Sequence, residues 1–237
     1  MIDIHCHILP GLDDGSPSLD SSIAMARLAA GAGTTDIVAS PHADLQYAFD
    51  PAAVEAKLTE LREAVGDVVR IHYGCDFHVH YENVQDALAS PAKYTINHRN
   101  YLLVELSELL NVRTADDILS RLCCAGLVPV ITHPERNGVL LNQAARLERW
   151  VLDGCCLQVT AQSLLGRFGR KARAFSQELL KHGLVQFVAS DGHDCKHRPP
   201  VLDEACAWVR EAHGDPVAER LFTLNPAAAL EGLPLPE

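Results

Sequence analysis

The chain begins MIDIHCHILPGLDDG, which puts His5 and His7 two residues apart in a stretch otherwise composed as a buried strand. Residues two apart on a strand share a face, so the two imidazoles point together. Two imidazoles on one face can ligate one divalent metal ion. The same alternation sends Ile4 and Cys6 to the other, helix-covered side. Such a pair needs further donors of matching type, and they recur along the chain as His42, Asp76, Glu105, His133, Asp191 and His193. Mixed imidazole and carboxylate donors suit zinc, manganese or iron, and a carboxylate can bridge two ions. A second H-x-H, His78 and His80, is read as lying past a strand end, in a loop facing solvent or substrate. His72, His98, His182, His197 and His213 are read as structural or surface histidines.

Positioning these donors requires a regular scaffold. Apolar runs predict strands at Ile2–His7, Thr35–Ser40, Arg70–Asp76, Tyr101–Leu106, Val128–His133, Leu157–Val159 and Gln186–Ser190. Helices alternate with them. One starts near Ser18 and ends at Gly31 and Gly33, and another starts at Asp50-Pro51, a cap followed by proline in the first turn. A third starts at Thr114, with Asp117 in its first turn. Two more span roughly Gln143–Asp153 and Gly169–His182, a last one begins near Pro200, and Asn225-Pro226 is a further cap signal. Strands each followed by a helix predict an α/β fold, either a parallel barrel or a doubly wound sheet. In such folds chemistry collects at the C-terminal ends of the strands. Almost every predicted strand delivers a metal-type donor to that rim.

The 237 residues are 48% hydrophobic, enough for one large domain spanning 1–237. The formal net charge is -11, without a block of lysines or arginines. That argues against nucleic acid as a main partner, because phosphate backbones need clustered positive charge. An anionic substrate stays open, since bound divalent ions reverse the field locally. Asp3, His5 and His7 stand where a signal peptide needs basic and apolar residues, and no apolar run approaches the ~18 residues of a membrane span. A soluble, cytoplasmic protein without membrane insertion is expected. The eight cysteines are expected as free thiols, mostly small buried side chains. Cys123-Cys124 and Cys155-Cys156 are adjacent pairs, and no C-x-x-C occurs. No cysteine is followed by arginine six positions on, so a cysteine phosphoenzyme loop is absent.

The segments MIDIHCHILPGLDDG, ASPH around His42, YGCD around Asp76, LVELS around Glu105, THPER around His133, and ASDGHD followed by HRPP together carry a resemblance. The chain resembles the PHP (polymerase and histidinol phosphatase) superfamily. More narrowly it is similar to the bacterial manganese-dependent protein-tyrosine phosphatases of the CpsB/CapC type, linked to capsule and exopolysaccharide synthesis. The resemblance runs over nearly the whole chain. It implies a distorted (β/α)7 barrel with a metal site at the C-terminal rim, holding three divalent ions, Mn2+ first, with Fe or Zn as alternatives. Carried over by motif, the ligands are His5, His7, Asp14, His42, Asp76, Glu105, His133, Asp191 and His193. The expected partition puts His5, His7 and Asp191 around one ion, Asp76, Glu105 and His133 around the second, and Asp14, His42 and His193 around the third. Arg136 and Arg198 correspond to phosphate-binding arginines.

The substrate the resemblance implies is the phosphotyrosine tail of a bacterial tyrosine kinase. Three departures stand out: Asp76 replaces the usual glutamate, Asn137 replaces an aromatic, and Ala43 replaces a histidine or basic residue. Two other readings share the same donors: a phosphatase of a small molecule such as histidinol phosphate, and an inactive metal-binding regulator. Around the site, Asp3 is expected to support a ligand histidine. Asp13 and Gly15 are expected to shape the turn, with glycine there for a positive φ. Glu108 is expected in solvent.

Overall fold

Strand and helix alternate along the chain as the apolar pattern predicts. The structure, a computed structural model, describes residues 1–109, 111–141 and 143–236. In chain order the elements begin with β1 (Ile2–Cys6), α1 (Leu19–Gly31), β2 (Asp36–Ala39), β3 (His42–Ala43) and α2 (Pro51–Val65). They continue with β4 (Arg70–Tyr73), β5 (Asp76–His78), α3 (Tyr81–Ala89), β6 (Tyr101–Glu105), α4 (Val112–Cys124) and β7 (Val128–Thr132). The remainder are α5 (Ala144–Leu152), β8 (Cys156–Thr160), α6 (Ala161–Leu164), α7 (Gly169–Lys181), β9 (Phe187–Ala189), α8 (Asp203–His213), α9 (Asp215–Glu219) and α10 (Asn225–Glu231).

All strand pairs are parallel. One sheet has the order β1-β2-β4 and the other β3-β5-β6-β7-β8-β9. The sheets also meet beyond β9, where Asp191 N–H donates to His5 O (2.9 Å) and His7 N–H to Gly192 O (2.8 Å). The strand expected over Arg70–Asp76 is two strands, broken at Gly74-Cys75. A Cβ on Gly74 would lie 2.4 Å from Val38 Cγ1, so only glycine lets the chain pass β2 so closely. The second expected strand, Thr35–Ser40, ends at Ala39, and β3 beyond Ser40-Pro41 was not expected. Proline offers no N–H to a ladder, and pairing resumes as β3 against β5, with His42 opposite Asp76.

Side-chain caps set the helix starts. Ser18 accepts from Ser21 N–H at α1, and Asp50 from Ala52 N–H at α2. The helix expected from Thr114 starts earlier, because Asn111 caps it by accepting from Arg113 N–H at 2.9 Å. The Asn225 cap signal is overruled. The chain is helical through a π-helical stretch at Arg220–Leu224 into α10, and the Asn225 amide instead donates to Gln186 O at 2.7 Å. The sequence reading missed α3, which has no side-chain cap to mark its start.

An inner cluster joins Ile2, Ile4, Val38, Leu103, Val130 and Phe187, closed by Ala229 and Leu230 of α10. A second cluster packs α1 and α2 on Cys6, Ile37 and Ile71, and a third packs helices from α4 to α8 on β5 to β9. Full burial of each such aliphatic or aromatic side chain stabilises by about 1.5–3 kcal/mol. Ile4 was expected on the helix side but lies in the inner cluster. The β1–β2 register shifts between Asp3 and Cys6. Such a bulge re-aims the side chains after it, so Ile4 packs inside and His5 still enters the site. Among the described residues no helix is long and apolar enough to cross a membrane.

Candidate metal centre

At the C-terminal ends of these strands the nine expected donors converge. Four overlapping groups bring their donor atoms within 4.8 Å of one another: His7 with Asp14, His42 and His193; His5 with His7 and Asp76; His5 with His133 and Asp191; His42 with Asp76 and Glu105. The grouping around Asp14, His42 and His193 matches the expected third set, with His7 added. Elsewhere it differs: His133 sits with His5 and Asp191, and His42 stands beside Asp76 and Glu105, where His133 was expected. Individual contacts are 3.2 Å from His42 Nδ1 to Asp76 Oδ2, 3.5 Å from His5 Nε2 to Asp191 Oδ1 and 3.4 Å from His193 Nε2 to Asp14 Oδ1. Donors on one ion at ~2.1 Å bonds and tetrahedral angles stand ~3.4 Å apart, so these separations fit shared coordination.

Satisfaction of hydrogen bonds points the same way. Both carboxylate oxygens of the fully buried Asp76 and the Nδ1 of His42 lack a hydrogen-bond partner. His5 and His42 lie beside Asp76 without hydrogen-bonding geometry. A buried carboxylate left without hydrogen bonds is costly, and a cation among these donors would satisfy it. Asp76 reaches two of the groups, one with His5 and one with His42.

Titration reflects the crowding. Burial opposes protonation of His42, but Asp14 and Asp76 overcome it and push its pKa up to about 12. Burial likewise opposes His7, and Asp13 raises it to about 9. Asp76 is held well below the carboxylate range: burial acts upward, and His5 and His42 outweigh it. Glu105 goes the other way, raised to about 7 by burial and then by the Asp76 charge. Burial pushes His133 down to about 3 despite the nearby Asp191. It is neutral at ordinary pH, the form in which imidazole ligates metal.

The ring nitrogens turned away from the cluster are held in place. His7 Nδ1 meets Asp13 Oδ2 at 2.6 Å, His5 Nδ1 meets Gln158 Oε1 at 3.0 Å, and His193 Nδ1 meets Asp191 O at 2.9 Å. Partners of this kind fix the tautomer and orientation of a ligating histidine. Gln158 escaped the sequence reading. Its one signal is a long polar side chain between Leu157 and Val159, at an inward position of β8. Asp13 does more than shape a turn, since it also accepts from His42 N–H at 3.1 Å. Gly15 does not have the expected positive φ. A Cβ there would lie 2.2 Å from His7 O, so the need is for close approach. Asp3 supports backbone rather than a ring, accepting from Ser190 N–H and Oγ and from His5 N–H. Two donor residues, His133 at φ +35° and Asp191 at φ +51°, adopt the left-handed region that L side chains avoid. Strain of this kind collects at functional sites.

Arg136 and Arg198 both donate to Asp191 Oδ2, and each side chain is 25% exposed. The Arg136 guanidinium also lies over the Phe168 ring, 4.3 Å from its centroid. Beside them a cavity of about 290 Å³ is lined by His78, Glu105, His133, Arg136 and Asn137 among others. His78 is not past a strand end. It lies in β5 opposite Glu105, two residues from Asp76, and so faces the same side. Asn137 is buried and donates to Leu106 O at 2.7 Å, pinning the turn that carries Arg136. Glu108 is exposed as expected but also accepts from Gly138 N–H at 2.9 Å. Neither His72, paired with Asp36, nor His98, paired with Glu55, belongs to the cluster.

Parallel strands ending in a buried imidazole and carboxylate cluster, with two arginines on its edge, define a metallohydrolase-type α/β protein. The family profile described as capsular polysaccharide synthesis, CpsB/CapC, matches residues 1–231, and the chain belongs to that family. The tyrosine-protein phosphatase YwqE of Bacillus subtilis (strain 168) is 38% identical over 218 residues, covering 90% of this chain and 85% of the relative. The putative tyrosine-protein phosphatase CapC of Staphylococcus aureus is 33% identical over 208 residues, covering 86% and 81%. A solved structure from work on YwqE and on CpsB of Streptococcus pneumoniae, described as unique metal-dependent tyrosine phosphatases, superposes with a TM-score of 0.91. It is 33% identical and covers 99% of this chain and 96% of that one. A lactonase from Listeria monocytogenes shares the fold alone, with a TM-score of 0.61 at 12% identity.

Proposed function

We propose that this chain is a metal-dependent phosphatase that removes phosphate from protein phosphotyrosine and serves capsule or exopolysaccharide synthesis. The observation that carries the reading is the overlap of four donor groups beside two arginines that share one carboxylate. The phosphatase names of the relatives support it. We read 1–237 as one domain and its strands as a distorted seven-stranded ring, with β2/β3 and β4/β5 each one interrupted strand. The hydrogen bonds from the end of β9 to β1 support closure.

His5, His7, Asp14, His42, Asp76, Glu105, His133, Asp191 and His193 would hold the ions, three in number and manganese in this reading. When bound, they supply Lewis-acid activation of water and neutralise phosphoryl charge. Arg136 and Arg198 turn their remaining N–H groups to the phosphoryl oxygens, a match for the planar fork of guanidinium. Asp191 and Phe168 keep these guanidiniums from wandering. The cavity lined by His78 and Asn137 takes the aryl group. A phenol leaves with a pKa of about 10, so it needs little protonation. The substrate is the tyrosine-bearing tail of a kinase, met in the cytoplasm.

The test is phosphate release by metal-stripped protein, with and without added Mn2+, from a phosphotyrosine peptide and from histidinol phosphate. Manganese-dependent turnover of the peptide, with little on histidinol phosphate, is expected. The reverse preference would move the substrate to small molecules. Metal binding without turnover of either would make the protein a regulator.

A further inference from the structure

Far from the metal centre, at the end of the fold where strands begin, two thiols face each other. Cys123 lies in the last turn of α4, and Cys155 immediately precedes β8. Their sulfur atoms are 3.9 Å apart. Of the neighbouring cysteines, Cys156 is directed elsewhere, and Cys124 lines the same cavity. Cys156 belongs to the inner cluster with Val130 and Phe187, while Cys155 belongs to the helix-covered outer cluster. Cys124 is exposed. Entry into β8 turns Cys155 and Cys156 to opposite sides, and Cys155 meets Cys123 of the helical pair. The pair borders a cavity of about 460 Å³, lined also by Arg149, Trp150 and Asp153, which gives a small molecule access to the partly buried Cys123.

We propose that Cys123 and Cys155 form a peroxide-oxidised dithiol site, in which Cys123 attacks and Cys155 resolves. The Cys123 sulfur attacks one oxygen of a hydroperoxide ROOH. The O–O bond breaks, ROH leaves with the thiol proton, and Cys123 becomes a sulfenic acid. The Cys155 sulfur then attacks the Cys123 sulfur, and the hydroxyl leaves as water with the Cys155 proton. Two thiols lose two electrons and two protons, and the peroxide gains them. The roles follow from the environments. Cys123 is partly exposed on the cavity, whereas Cys155 is buried. The more accessible thiol is the attacker. A disulfide here ties α4 to the start of β8 and encloses β7 with His133 and Arg136, without touching the cluster itself.

The experiment treats the full-length protein with hydrogen peroxide, followed by thiol counting, intact mass and peptide mapping without reductant. The expected product has lost two thiols and two hydrogens and carries a Cys123–Cys155 cross-linked peptide, reversed by dithiothreitol. Closing a loop of roughly 30 residues should raise the thermal midpoint by about 5 °C or more. In Cys155→Ser, dimedone should trap a sulfenic acid on Cys123, whereas Cys123→Ser should give no adduct on Cys155. The inference is overturned if oxidation goes to the exposed Cys124 or Cys195 while Cys123 and Cys155 stay reduced. It is also overturned if Cys123 proceeds to sulfinic acid in the presence of Cys155.

Discussion

The inward faces of the same strands carry opposite chemistry at their two ends. On β6, Tyr101 and Leu103 belong to the apolar inner cluster, and Glu105, next on that face, belongs to the donor cluster. On β9, Phe187 and Ala189 are apolar, and Asp191 just beyond is a donor. At the first end, burial is repaid by packing. At the second, imidazoles and carboxylates are buried with atoms of Asp76 and His42 unpaired. Stability and chemistry are thus segregated along one strand. The donor end is arranged for charge it does not itself balance.

The largest effect should come from breaking the donor end while sparing the packed end. Asp191→Asn removes the carboxylate that contacts His5, His7, Arg136 and Arg198. We expect kcat/KM to fall about 10³-fold or more, a magnitude typical for loss of a principal electrostatic group. Bound metal, counted by mass spectrometry, should fall while folding cooperativity is kept. Near-normal turnover would contradict the segregation. The converse change, Phe187→Ala, should cost about 3–5 kcal/mol in chemical denaturation. The surviving folded protein should bind metal normally, and loss of metal at equal foldedness would show that the ends are not separable.

A smaller effect tests the support of the rings. Gln158→Ala frees His5 Nδ1 and should weaken metal binding about 10–100-fold, with little change in stability. An unchanged metal affinity would remove Gln158 from the site. The smallest effect is a pH dependence. In metal-free protein, the pKa of His7 is raised to about 9, with burial opposing and Asp13 prevailing. Its contribution to stability is therefore full below about pH 6.5 and lost as pH rises through about 9. Metal needs neutral rings, so binding at pH 7.5 should release protons, one of them from His7 and one from His42, and tighten as pH rises across that window. Calorimetry in buffers of different ionisation enthalpy measures this, and zero protons released would contradict it.

Much of this was legible in the chain because donors and strands obey short-range rules. His5, Glu105, His133 and Asp191 each end an apolar run, and parallel α/β folds use that end. What escaped depends on contacts between distant segments. The bulge in β1 that turns Ile4 inward is a register effect against β2. The break at Gly74 answers Val38 on another strand. Gln158 matters only because β8 lies within reach of His5. The distribution of donors among groups also depends on tertiary placement, which is why His133 sits with His5 and Asp191. The early start of α4 is different in kind, since Asn111 and Thr114 are both capping residue types and it is Asn111 that accepts from the backbone, at Arg113 N–H.

The most direct test is diffraction from crystals grown with Mn2+, using the anomalous signal of the metal. The account predicts peaks among the four donor groups, about 2.0–2.4 Å from His and carboxylate atoms, with the unpaired oxygens of Asp76 engaged. Peaks confined to the protein surface, or a cluster without any peak at saturating manganese, would contradict it.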